Sequence, residues 1–148
     1  MLAKDYLQFL KDKIHSTVLA TVDENGDPET RIVDMMLLEG TTLYFMTSSR
    51  KRLYRSLMKH PKVSITDVTT GENSLQKQSV TLNSSAICIG QEKLAEILQE
   101  NPYMNEIVKS QYPSENEQKT LQVFKLEHGS GQFFDLSTTP ASSRSFSW

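Results

Sequence analysis

Three β-rich runs near the start of the chain are joined by very short turns, and this restricts the fold more than composition does. Thr17-Val18-Leu19-Ala20-Thr21-Val22 leads into Asp23-Glu24-Asn25-Gly26-Asp27-Pro28, where the Asn-Gly pair readily supplies the positive φ of a hairpin. The return strand is expected over about residues 29–38, the chain turns again at Glu39-Gly40-Thr41, and a third strand follows at Leu43-Tyr44-Phe45-Met46-Thr47. Connections of this length join antiparallel neighbours, because a parallel pair needs a crossover of a dozen or more residues. A run of parallel βαβ units is therefore excluded.

The rest of the chain is compatible with that start. Leu2, Tyr6, Phe9, Leu10 and Ile14 fall on one helical stripe. A second helix should begin just after Ser48-Ser49-Arg50-Lys51-Arg52 and end near His60-Pro61, with Leu53, Tyr54, Leu57 and Met58 as its buried i,i+4 pairs. Strands are expected over residues 62–68 and 79–89, separated by a polar loop at 69–78. A helical block should start near Gln91, break at Asn101-Pro102 and resume to about Ser110. Two last strands, 121–127 and 132–136, are read as a hairpin across Gly129-Ser130-Gly131. The expected fold class is mainly β with α: a small, split antiparallel barrel, Greek-key-like, with helices packed outside it. Residues 1–136 form one domain in this reading, and 137–148 an extended Ser/Thr-rich tail.

At 148 residues, a folded chain buries about 69 % of its unfolded surface, enough for a core without disulfides. The single cysteine, Cys88, excludes an internal disulfide or a Cys-based metal site, and points to a reducing, cytoplasmic setting. His15, His60 and His128 lack metal-ligand spacing, so no metal is expected. No segment has the length and apolarity of a signal peptide or membrane helix. A net charge of −2 argues against a nucleic-acid partner. Any anion site must come from local clustering.

Such a cluster exists. Between residues 50 and 62 lie six of the chain's 16 Lys and Arg, with no acid among them. Cations in the first turn of a helix face the positive end of its dipole, at a cost of about 0.3–1 kcal/mol each, and a bound anion reverses that cost. Free amides, the hydroxyls of Ser48 and Ser49 and two or more cations would suit a phosphate monoester. The alternative is a solvated basic face. Arg31 poses a similar choice: on the strand face shared with Val33 and Met35 it either meets an anion or pairs with Asp23 or Glu29.

Taken together, Arg31-Ile32-Val33-Asp34-Met35-Met36 and Leu43-Tyr44-Phe45-Met46-Thr47-Ser48-Ser49-Arg50-Lys51 resemble the flavin-binding signature of the pyridoxamine 5′-phosphate oxidase-like family. The similarity covers about residues 17–90. It implies an FMN-binding split barrel that forms a homodimer, with FMN at the subunit interface and a small-molecule substrate. By resemblance, Arg50 and Lys51 match the phosphate-binding pair and Ser49 the serine before them. Arg31, Ile32 and Val33 match the strand along the isoalloxazine ring, with Arg31 also within reach of the phosphate. Met46 and Thr47 match contacts to the ring and ribityl chain. Ser79 stands where the oxidases carry a glutamine that contacts flavin from the other subunit.

Departures from the family narrow the function. Met36 stands near a lysine position of the oxidases, and Phe134-Asp135-Leu136-Ser137 replaces their basic C-terminal segment. An aspartate there would repel a substrate phosphate, so vitamin B6 oxidation is not expected. No Ser/His/Asp or Cys/His arrangement is visible, so the expected site residues bind cofactor rather than act as catalytic acids or nucleophiles. The reading is an FMN-dependent oxidoreductase. The alternative is a non-catalytic flavin- or haem-binding module on the same fold.

Overall fold

A computed structural model describes residues 1–71 and 73–148. Eight strands form one antiparallel sheet in the order β2-β1-β5-β6-β7-β4-β3, with β8 added to β7. The strands are β1 (Ser16–Val22), β2 (Pro28–Asp34), β3 (Leu37–Glu39), β4 (Thr42–Ser48), β5 (Lys62–Val68), β6 (Gln78–Cys88), β7 (Leu121–Asp135) and β8 (Ser142–Ser147). Five helices flank it: α1 (Ala3–Phe9), α2 (Arg52–Lys59), α3 (Leu94–Glu100), α4 (Pro102–Gln111) and α5 (Glu115–Gln118).

The sheet curls around a core that includes Leu19, Phe45, Ile65, Leu82 and Phe124, all fully buried, with the Phe45 and Phe124 rings stacked at 5.4 Å. Period-two alternation creates this face: Leu19, Ile65 and Leu82 point inward while Val18, Thr66 and Thr81 point out. Leu7 and Leu10 close one end of the core from the N-terminal helix, which passes into a π-helical turn at Leu10–Ile14. Leu53 and Leu57 of α2 cover it elsewhere, whereas Met58, expected to be buried, is exposed. Among the described residues β2 and β4 share no ladder, so the barrel is open between them.

Several expected elements differ. The strand expected over 29–38 is two: Met35 and Met36 interrupt it, Met35 N–H bonding back to His15 O and Met36 N–H to Tyr44 O. This bend carries the chain from β1 to β4 as a partner. The expected final hairpin does not exist. Gly129-Ser130-Gly131 lies inside the continuous 15-residue β7, whose first half pairs with β4 and whose second half pairs with β8. The glycines serve packing instead: Phe146 and Trp148 lie over Gly131 and Gly129. The segment read as a tail thus supplies a sheet strand. The polar loop over 69–78 contains residue 72, which lies outside the described residues; its Ser74–Gln76 part is a short 3₁₀ turn. The helix break at Asn101-Pro102 is present, and buried Asn101 donates to both Met36 O and Ile97 O, fixing α3 and α4 to the β2–β3 bend.

Candidate functional site

The gap between β2 and β4 is a cleft of about 170 Å³. Arg31, Ile32 and Val33 line it from β2, Met46 and Thr47 from β4, and Lys51 from the turn into α2. These are six residues that the sequence motif had grouped, and the open edge of the barrel is what brings them together. Three others lie elsewhere. Ser49 and Arg50 are in the same turn but do not line the cleft, and Ser79 sits on the outward face of β6.

Residues to which the resemblance gave no cofactor contact complete the walls. Met104, Ile107 and Tyr112 come from α4 and its C-terminal end, with Met36 from the strand bend. The sequence shows Met104, Ile107 and Val108 as apolar positions of one helix, and the structure leaves Ile107 40 % exposed while Met104 and Val108 are buried. What sequence lacks is any indication that α4 folds back across β2.

The phosphate-cradle geometry expected at 48–52 needs correction. The amides there are not free: Ser49 N–H donates to Thr120 O, Arg50 N–H to the Ser48 hydroxyl and Lys51 N–H to Ser48 O. The Ser48 hydroxyl itself donates to Thr120 Oγ1. The residues after α4 fold over this turn and take up its donors. What remains is the first turn of α2, which has no side-chain cap, and Lys51 at its N-cap position. Lys51 makes no ion pair among the described residues and faces the cleft.

The neighbouring cations meet carboxylates from distant elements. Arg50 lies 3.6 Å from Glu117 Oε2 and stacks 4.7 Å from the Tyr112 ring centre. Arg55 pairs with Glu24 at 3.1 Å. Glu29 is buried; its Oε2 accepts from the Ser56 hydroxyl at 2.6 Å, and its Oε1 lies 2.8 Å from Arg31 Nη2 and 3.9 Å from Arg52 Nε. The Arg31–Glu29 contact is short but not aligned as a hydrogen bond, so it is an electrostatic pair in a poor geometry. Of the two readings of Arg31, pairing with Glu29 is present, and the residue still lines the cleft.

Asp135, at the end of β7, does not line the cleft. Ser137 and Gln78 hydrogen-bond its carboxylate and hold it below the ordinary aspartate range. Cys88 is half-buried against Gln122, as a packing residue would be. Among the described residues no cluster of His, Cys, Asp and Glu could hold a metal, and no helix is long and apolar enough to cross a membrane.

The pyridoxamine 5′-phosphate oxidase family model matches residues 2–134. No curated protein matches the chain significantly by sequence. Among solved structures, a NimC/NimA family protein from Clostridium acetobutylicum superposes with a TM-score of 0.75 at 20 % identity, covering 99 % of this chain and 92 % of that one. A haem-binding protein from Mycobacterium smegmatis gives 0.71 at 20 % identity, over 97 % of this chain and 58 % of that one. PhzG from Burkholderia lata, solved with tetrahydrophenazine-1-carboxylic acid, gives 0.67 at 13 % identity, over 96 % and 81 %. With a sequence match over nearly its whole length and a curled, split antiparallel sheet common to these structures, the chain belongs to the pyridoxamine 5′-phosphate oxidase family.

Proposed function

We propose that this protein binds FMN in the β2–β4 cleft, completed by a second copy of the chain, and acts as an oxidoreductase on a small molecule. The observation that carries the reading is one cleft with an apolar part, walled by Met36, Met46, Met104 and Ile107, and a cationic end at Lys51 and the uncapped start of α2. A flat ring fits the first and a phosphate the second. Bound flavin would supply the hydride and electron chemistry. The chain's own residues bind and orient: Lys51 and the α2 amides hold the phosphate, the open edge of β2 lies along the ring, and the methionines exclude water.

A cleft of about 170 Å³ is well below the roughly 300–1,000 Å³ of ligand pockets, which favours a site closed by a partner surface. Ser79 would then contribute from the other subunit. The methionines offer thioethers, but no histidine lines the cleft among the described residues, which favours flavin over haem, whose usual axial ligand is histidine.

The test is a visible spectrum of the purified protein, before and after adding FMN. Flavin bands, with affinity reduced about tenfold or more in Lys51→Ala through loss of a charge-assisted contact of about 1.5–3 kcal/mol, are expected. No flavin binding overturns the reading, and a Soret band would put haem in its place. Rapid reduction by NADH or NADPH separates an enzyme from a flavin store.

A further inference from the structure

On the far side of the cleft wall, three polar residues from three parts of the chain meet. Tyr103, on α4, donates its hydroxyl hydrogen to Asp34 Oδ2 at 2.7 Å. His15 Nε2 lies 2.7 Å from the same hydroxyl oxygen, and since that hydrogen is committed to Asp34, the imidazole N–H donates to it. Asp34 Oδ1 is held by the Ser16 hydroxyl at 2.6 Å. The Tyr103 hydroxyl also lies 3.5 Å from the Met36 sulfur, and Met36 lines the cleft.

His15 occupies a costly position. Its φ of 66° and ψ of −66° place a non-glycine residue in the strained positive-φ region. Glycine would relieve that strain, so a histidine here needs a compensating contact, and its ring makes one to α4. Lys11, whose carbonyl lies 3.3 Å from His15 Nδ1, reaches the end of α3 by pairing with Glu100 at 3.2 Å. Burial and the bond to Asp34 hold the Tyr103 hydroxyl far above the ordinary phenol range, so it remains a donor.

We propose that His15, Tyr103 and Asp34 form a clasp that seats α4 on β2 and thereby sets the position of the cleft's apolar wall. Tyr103 is a positioning residue: it lies outside the cleft, while its neighbours Met104 and Ile107 line it. The consequence for ligand affinity rests on the cleft being the flavin site proposed above.

The clasp is tested without any ligand by NMR of protein carrying ¹³C-methyl methionine, comparing the wild type with Tyr103→Phe and His15→Gly. His15→Gly is the stricter variant, because it removes backbone strain and does not touch Met36. In both, the Met36 and Met104 methyl resonances should shift, while that of exposed Met58 stays in place. FMN affinity should fall on the order of fivefold in both, read by fluorescence titration. Unmoved Met36 and Met104 signals in folded His15→Gly overturn the clasp; if that variant does not fold, an unmoved Met104 signal in Tyr103→Phe does so. Shifted methyls with unchanged FMN affinity overturn its coupling to the site. A wild type that binds no FMN defeats the flavin reading alone, and the methyl signals still decide the clasp.

Discussion

Glu117 is drawn to Arg50 by an unusual degree of preparation. Ser114 caps α5 and donates its hydroxyl to Glu117 Oε1 at 2.8 Å, which leaves Oε2 turned toward the guanidinium. Arg50 does not line the cleft, and to reach the phosphate of the proposed flavin it would have to leave that carboxylate. Both side chains are partly exposed, so the pair is worth at most about 1 kcal/mol. Glu117→Gln should therefore tighten FMN binding by about two- to fivefold, measured by fluorescence titration, and an unchanged affinity would show that Arg50 takes no part. At the same scale, Asp23 and Asp135 set an acid limit on stability. The Asp27 amide holds Asp23 below the ordinary aspartate range, and the Ser137 hydroxyl, followed by Gln78, does so for Asp135. Because both folded values are depressed, their contribution is complete above about pH 4 and is lost as pH falls through the lower folded values. The urea midpoint should fall in acid, and Asp135→Asn should make that fall shallower.

At the scale of elements, β8 is held by aromatic side chains lying over glycines. A Cβ on Gly131 would stand 2.5 Å from the Phe146 ring and 2.8 Å from the Thr81 carbonyl oxygen, and the backbone cannot yield as a side chain can. Phe146 in turn stacks on Tyr6 of α1 at 4.6 Å, so the two chain ends share one aromatic contact. Gly131→Ala is expected to cost about 1–3 kcal/mol by urea denaturation, through overpacking. A neutral result would mean that β8 is not seated as described. The same glycines explain the misread hairpin: glycine in sequence signals a turn as readily as a close approach, and only the presence of Phe146 across the ladder distinguishes them. The strand bend at Met35-Met36 was hidden for a related reason, since alternation of Val33, Met35 and Leu37 continues through it with all three buried.

For the whole molecule, the outward face of the sheet carries the expectation of a dimer. Ile32, Val18, Thr66 and Thr81 lie in register across β2, β1, β5 and β6, and Ser79 lies between Val68 and Phe134 on the same face. These positions bear no charge, and Ile32 is 67 % exposed beside the cleft. Sedimentation at micromolar concentration should give a dimer. Thr66→Arg, which places a cation amid this face, should yield a folded monomer with weakened FMN binding. A wild-type monomer that binds FMN fully would place the closure of the cleft within one chain.

What the sequence determined by itself was local: antiparallel pairing from short turns, the face of β2 that carries Val33, the break before Pro102, and a motif whose β2, β4 and Lys51 members do line one cleft. Those properties depend on backbone geometry and on neighbours a few residues away. The tertiary structure alone decided which charges stay available. Glu24, Glu29 and Glu117 lie outside the uninterrupted basic run, and folding brings them against Arg55, Arg31 and Arg50, leaving Lys51 facing the cleft. Electrostatic energy depends on distance in space and on burial, neither of which is fixed by position along the chain.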